Sequence, residues 1–371
     1  MRSFILLLFL SLCSCQSIPH FGAQRMDNPP TKIREIDKIR ILEAYKMVGT
    51  LFEICAGEWK IDEKHRGTTA TPKKRLSKCP QVWETWLKPP YPILLIDDDF
   101  EFLLNHPQPD DSFNAFYDDE DFGHVYFRKR VLPKNLVASY PAVSNITTIV
   151  IGRRENTSKK SSTTWALTLI HEHIHQIQFE HPGYYSHLEA LKLYKKNKGS
   201  KWILNHPFPY NDLMTEKLME KLGNKLLASI TKKDKKLFYE YMDLKRGLTK
   251  LLHKDDLEYL KFQTWQEGIA RYFEIIAAGL LKSHYKPSSD FKALPDYEAL
   301  AQVHKAYLKE IGILLRNPDL KTFKRVTFYA FGAAEGLALH NIHPHWSNFY
   351  FDYYFDLDGL ANRMEMFKFE Q

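Results

Sequence analysis

The sequence predicts an α+β protein with a small mixed β/α N-terminal lobe and a largely α-helical C-terminal lobe, and three observations carry that expectation. β-Branched and aromatic runs bounded by turn residues cluster before residue 152, at Pro92-Ile93-Leu94-Leu95-Ile96, Gly123-His124-Val125-Tyr126-Phe127 and Ile146-Thr147-Thr148-Ile149-Val150-Ile151. From Trp165 onward apolar residues recur at helical spacing almost without interruption. The 371 residues suffice to bury a substantial core, and without tandem repeats they predict one catalytic unit of two lobes, although length alone permits two or three domains.

Residues 1–14 read as an export signal, because Met1-Arg2 precedes an apolar run from Phe4 to Leu12 that is too short to span a bilayer. Leu12-Cys13-Ser14-Cys15 resembles a bacterial lipobox, which implies a lipid on Cys15 and attachment to the membrane of the cell envelope. A plain secretory signal is the alternative. Residues 15–32 are a polar tether. The N-terminal lobe, 33–152, opens with a helix near Ile36 to Ile54 and continues through a loop rich in lysine and threonine to the three strands. Cys55 and Cys79 are the two thiols of this body; an even pair in an oxidising compartment predicts a disulfide. Neither has the C-x-x-C spacing of a structural zinc site. Asn145-Ile146-Thr147 and Asn156-Thr157-Ser158 match glycosylation acceptors. The C-terminal lobe, 153–371, begins with an Arg153 to Ser162 loop that reads as mobile.

The chemistry concentrates in His171-Glu172-His173-Ile174-His175, an H-E-x-x-H pattern. Positions four apart on a helix lie about 40° apart around the axis and about 6 Å along it, so His171 and His175 can grip one ion. Glu172, roughly 100° from His171, is off the ligand stripe but able to hold a water as general base. His173, about 200° round, points to the opposite face and reads as a packed histidine. The surrounding stretch from Thr164 to Phe179 has no proline or glycine, with N-cap candidates at Ser161, Ser162, Thr163 and Thr164 and a stop at His181-Pro182-Gly183. Two imidazoles and a carboxylate buried together call for a cation, and zinc is the ion that this donor set suits.

A catalytic zinc takes three side chains and leaves a position for water, so a third ligand must lie downstream. Glu267, in Trp265-Gln266-Glu267-Gly268-Ile269-Ala270-Arg271-Tyr272-Phe273-Glu274, is preferred because the adjacent glycine allows close helix approach. Glu189 is a rival, and so is Glu335, whose Glu335-Gly336-Leu337-Ala338 repeats the E-G-x-A pattern. H-E-x-x-H followed by W-x-E-G-x-A-x-Y-x-E resembles the glutamate zincins, especially the M1 aminopeptidase type. That resemblance implies a zincin-like fold, zinc held by His171, His175 and Glu267, Glu172 as the base, and Glu274 in a supporting or structural role. It also makes the strand before the motif helix, Ile146 to Ile151, the expected edge of the substrate cleft. The G-x-M-E-N substrate strand of the M1 enzymes is absent, and aminopeptidase specificity is not implied. The interval before Glu267 reads as inserted helices near Tyr185 to Lys198, Asp212 to Ser229 and Lys233 to Leu252.

Zincin hydrolysis also needs a donor facing the developing oxyanion. Tyr329, Ala333, Gly336 and His340 recur on one narrow helical stripe; Tyr329 is the preferred donor and His340 the second. The expectation is an exported, lipid-anchored zinc hydrolase of peptide or protein substrates. An inactive zincin-fold binding protein and a zinc hydrolase of other amides or esters are the alternatives. The charge of +7 comes from scattered basic groups and does not call for nucleic acid. Lys192 to Lys198 and Lys232 to Lys236 read as solvated faces, and Asp97-Asp98-Asp99 and Asp118 to Asp121 as acidic loops without EF-hand spacing.

Overall fold

The computed structural model describes residues 32–56, 59–61, 68–70, 79, 89–197, 199 and 201–366; the export leader, Cys15 and the tether before Lys32 lie outside the described residues. In chain order, α1 (Glu35–Ala56) is followed by a short antiparallel pair, β1 (Trp59–Ile61) and β2 (Thr68–Ala70). Next come β3 (Ile93–Ile96), β4 (Phe100–Leu104), β5 (Asn114–Asp119), β6 (Gly123–Lys129), β7 (Val137–Val143) and β8 (Ile146–Gly152). α2 (Ser162–Glu180) carries the H-E-x-x-H residues. After it the chain is helical: α3 (Tyr184–Ala190), α4 (Lys192–Asn197), α5 (Trp202–Asn205), α6 (Leu213–Lys232), α7 (Lys235–Lys245) and α8 (Lys254–Gln263). A π-helical turn, Thr264–Gly268, runs directly into α9 (Ile269–His284). α10 (Ser289–Lys292), α11 (Leu300–Arg316), α12 (Leu320–Phe323), α13 (Val326–Ile342) and α14 (Leu357–Met366) complete the order. No helix among the described residues is long and apolar enough to cross a membrane.

The chain forms two compact units, one of Met1–Val48, Leu87–Glu180 and Pro287–Glu298, the other of Gly49–Trp86, His181–Lys286 and Ala299–Gln371. The boundary read from sequence at 152/153 would part β8 from α2, which share the first unit.

In the first unit a six-stranded mixed sheet has the order β5-β6-β4-β3-β8-β7. β3 and β8 pair in parallel and the other neighbours antiparallel. β3 is buried along its whole length because both faces are covered, which is why it reads as a continuous apolar run. Leu94, Ile96, Leu103, Val143 and Val150 form a core on one face with Phe113 and Leu132, while α2 packs against β7 and β8. The three expected strands are present. β4, β5 and β7 are additional, and β7 corrects the expected edge: Ile146 to Ile151 lies inside the sheet, between β3 and β7, and β7 is the terminal strand. Pro141 cannot donate a ladder hydrogen bond, and the register of β7 shifts between Tyr140 and Val143, both tolerable only at an edge.

Ion pairs hold the start of α2. Arg40, almost fully buried, bonds Asp37 at 3.1 Å, Glu155 at 2.9 Å and the Ser162 hydroxyl at 2.7 Å. Ser162 in turn donates to Asp296 at 2.6 Å, and the Thr163 hydroxyl donates to the Glu298 carbonyl at 2.6 Å. Arg153 reaches Asp37 and Asp97, and Arg154 reaches Asp296. The 153–162 loop, expected to be mobile, is thereby tied at both ends. The acidic loops close on the protein's own cations: Asp98 on Lys134, and Asp119 and Asp121 on Lys38.

The second unit is helical, with the Cys55–Cys79 disulfide formed in it. Asp212 and Asp234 cap α6 and α7 by accepting from Thr215 N and Leu237 N, so the helix expected from Lys233 begins two residues later. The stretch expected from Tyr185 to Lys198 divides into α3 and α4 at Leu191.

Glu155 supplies a test of the ion-pair cluster. Burial opposes its ionisation, but hydrogen bonds from Arg40 and Arg34 outweigh this and hold its carboxyl at about 2. A depressed folded value stabilises above the unfolded carboxyl value of about 4.3 and is lost as pH falls through the folded value. The urea midpoint of the wild type should therefore fall more steeply than that of Glu155→Gln between about pH 5 and 2. Parallel curves would remove Glu155 from the acid response.

Candidate metal centre

α2 is positioned before it is functional. Its first turn is closed by a reciprocal pair, Thr164 N to Ser161 Oγ at 3.1 Å and Ser161 N to Thr164 Oγ1 at 3.0 Å. Along its length side chains bond the sheet. The Trp165 indole N–H donates to the Gly152 carbonyl at 2.9 Å, Gln176 Nε2 to the Thr147 carbonyl at 3.1 Å, and Thr147 Oγ1 to Glu180 at 2.6 Å. His173, fully buried, stacks on Tyr91 with ring centroids 4.2 Å apart and bonds Gln176 through Nδ1 at 2.9 Å. It is the packed histidine expected from its helical angle.

On the other stripe His171 and His175 converge, with their Nε2 atoms 3.2 Å apart. Two nitrogens each about 2.0–2.1 Å from one tetrahedral zinc stand about 3.3 Å apart, so the spacing fits a shared ion. His175 Nδ1 lies 2.7 Å from Gln178 Oε1. An amide oxygen only accepts, so Nδ1 carries the hydrogen and Nε2 keeps its lone pair for a metal. Such outer hydrogen bonds orient imidazole ligands and raise their basicity.

Glu172 completes the group: its carboxylate and the two imidazoles offer ligating atoms all within 4.8 Å of one another. The carboxylate is held by Ser139 of β7, whose hydroxyl lies 2.9 Å from Glu172 Oε2 and 2.8 Å from the Glu172 carbonyl. The edge strand thus fixes the candidate base. Ser139 and Gln178 were not singled out from sequence. Gln178, three positions after His175, carries a signal that helical spacing could have supplied; Ser139 depends on sheet register and carries none.

Glu267 and Tyr329 belong to the second unit. Glu267 is the half-exposed member of the π turn, whose other residues, Thr264, Trp265, Gln266 and Gly268, are buried. Such turns recur at functional sites because the extra residue changes the phase of the helix. Gly268 meets α13 at Gly332 so closely that a Cβ on Gly268 would stand 2.5 Å from the Gly332 Cα. Close helix approach is therefore why glycine follows Glu267. Gly336 gives way in the same manner to the Tyr272 ring, whose hydroxyl lies 3.0 Å from His340 Nδ1. That contact makes His340 a partner of the core, while Tyr329 is half-buried beside Arg325.

The rivals of Glu267 differ from it. Glu189 is exposed. Glu335 is buried and accepts from Lys245 Nζ at 2.6 Å and from the Tyr241 hydroxyl, with Lys245 also bonding Asp358 at 2.6 Å. Burial pushes the Glu335 carboxyl up, against the pull of Lys245. Glu274 is structural: buried, it takes Arg271 Nη1 at 2.6 Å, and the same guanidinium reaches Glu310 and lies over Tyr307.

Gln178→Leu should weaken zinc binding by about 10- to 100-fold, measured by chelator competition, because His175 loses the acceptor that sets its tautomer. Unaltered affinity would show that the hydrogen bond is not part of the centre. Comparison with protein-family models, with curated proteins and with solved structures gave no match to this chain, so its functional reading rests on its own residues.

Proposed function

We propose that the chain is an exported, gluzincin-like zinc metallopeptidase, with His171, His175 and Glu267 as zinc ligands and Glu172 as general base. The observation that carries this reading is the 3.2 Å separation of the His171 and His175 Nε2 atoms, with Glu172 in the same group. Glu267 enters on the sequence pattern, supported by its half-exposed place on a π turn. A zinc ion held by these residues would act as a Lewis acid toward a water and the scissile carbonyl.

The remaining work falls to side chains. Glu172 takes the proton of the attacking water and later returns it to the leaving amine, and Ser139 holds that carboxylate in one orientation. β7, as terminal strand, offers main-chain groups to an extended peptide next to Ser139. Tyr329 is the proposed oxyanion donor. Export by the 1–14 leader and lipid attachment at Cys15 belong to the same proposal, and the Cys55–Cys79 disulfide is in keeping with an oxidising compartment.

A peptide-library digest with parallel metal analysis tests the assignment. Glu172→Gln should keep zinc and lose about 10²- to 10⁴-fold in cleavage. Glu267→Ala should lose zinc; full retention would remove Glu267. Tyr329→Phe should lower kcat by about 10²- to 10³-fold, and an unchanged kcat would remove it from the mechanism. Wild-type protein that holds zinc and cleaves no peptide would contradict the peptidase reading.

A further inference from the structure

Lys245, the last residue of α7, is buried between two carboxylates of the second unit. Its Nζ stands 2.6 Å from Glu335 Oε1 on α13 and 2.6 Å from Asp358 Oδ1 in the first turn of α14. Tyr241, one helical turn before Lys245, donates its hydroxyl to the same Glu335 Oε1. Glu335 Oε2 is buried and, among the described residues, accepts no hydrogen bond. Asp358 has a second cation: Lys261 Nζ lies 3.6 Å from its Oδ2. Beside Glu335 a cavity of about 10 Å³, on the scale of one water, is lined by Tyr241, Lys245 and Thr264 and otherwise by apolar side chains.

One ammonium facing two carboxylates, with an orphaned oxygen on one of them, is more than an ion pair requires. A buried carboxylate oxygen without a donor is stabilised when a proton sits on it. Burial opposes the charge of Lys245, but Asp358 and Glu335 outweigh it and hold the amine as an ammonium at rest. Burial raises the Glu335 carboxyl against the pull of Lys245. Asp358 goes the other way, because Lys245 and Lys261 outweigh its burial. Glu335 is therefore the group suited to carry a proton, and Asp358 the one suited to react as an acyl group.

We propose that Lys245 and Asp358 condense into an amide bond between their side chains, with Glu335 as the proton carrier. The Lys245 ammonium passes a proton to Glu335, and the freed lone pair of Nζ attacks Asp358 Cγ. A C–N bond forms and one Cγ–O bond breaks. The departing oxygen takes the proton from Glu335 and a second from the nitrogen, and leaves as water. One positive and one negative charge disappear from the interior, and no other reactant is needed. Amine and carboxyl held in contact react at effective concentrations of about 10⁵–10⁸ M. Lys261 faces the Asp358 oxygen on which negative charge gathers. The bond closes the chain over 113 positions and ties α7 to α14.

Tryptic mapping of the whole protein by mass spectrometry tests this. The fragment ending at Lys245 and the fragment holding Asp358 should appear as one species, lighter by one water than their sum, with cleavage after Lys245 blocked. Glu335 and Asp358 share a tryptic fragment, with no lysine between them and no arginine, so fragment ions must place the acyl group. Asp358 is the expected position. Lys245→Arg keeps a cation between the carboxylates and should give separate fragments. Asp358→Asn should form the same bond with loss of ammonia in place of water. Glu335→Gln should slow linkage by about 10²-fold or more in protein sampled at intervals after synthesis, with the circular dichroism of the wild type. Separate fragments from the wild type, or a bond at Glu335, would overturn the proposal. Linkage at an unchanged rate in Glu335→Gln would remove Glu335 as the proton carrier.

Discussion

Two imidazole nitrogens held 3.2 Å apart on one face of a buried helix are the constraint on which the functional reading depends. A neutral pair at that distance can share at most one proton, whereas a divalent cation satisfies both lone pairs and the carboxylate next to them. The fold supplies the rigidity that this requires. α2 is bonded to main-chain carbonyls of Gly152 and Thr147, stacked through His173 on Tyr91, and clamped at its start by the Arg40, Ser162 and Asp296 cluster. Each of those contacts lies away from the stripe of His171 and His175, so packing and the candidate metal group use different faces of the same nineteen residues.

Ser139 joins the two tasks. It sits on the terminal strand of the sheet, and its hydroxyl holds the Glu172 carboxylate from the side of the sheet. In the proposed reading, a base fixed in this manner would lose little orientational freedom when a proton has to move. The second unit shows a similar division between two look-alike segments. Glu267 and Glu335 stand in the same E-G-x-A pattern, yet Glu335 is spent on Lys245 and Tyr241 in the interior while Glu267 is left half-exposed on a π turn. The glycines serve one purpose in both: Gly268 admits Gly332, and Gly336 admits the ring of Tyr272.

The parts that were legible in the sequence are those set by local periodicity. α1, α2, the strands β3, β6 and β8, the packing of His173 on the face opposite His171 and the reason for Gly268 all follow from spacing and residue type. The parts that were not legible depend on partners distant in the chain. β4 contains Glu101, which is buried because Val131 N, Leu132 N and Arg128 satisfy its carboxylate. β5 is largely polar and β7 contains Pro141, both properties of sheet edges, so neither produces an apolar run. Mistaking β8 for the edge followed from missing β7. The π turn has no sequence signal, and Ser139 gains its meaning only from the register that sets it opposite Ile149.

The proposed coordination sphere can be examined directly by X-ray absorption at the zinc edge, on protein loaded with one equivalent of zinc and on its His171→Ala variant. A four-coordinate ion with two imidazole nitrogens at about 2.0–2.1 Å and oxygen donors in the remaining positions, reduced to one imidazole in the variant, is the expected spectrum. A chain that fails to bind zinc stoichiometrically, or a spectrum that is the same in the variant, would contradict the metal centre.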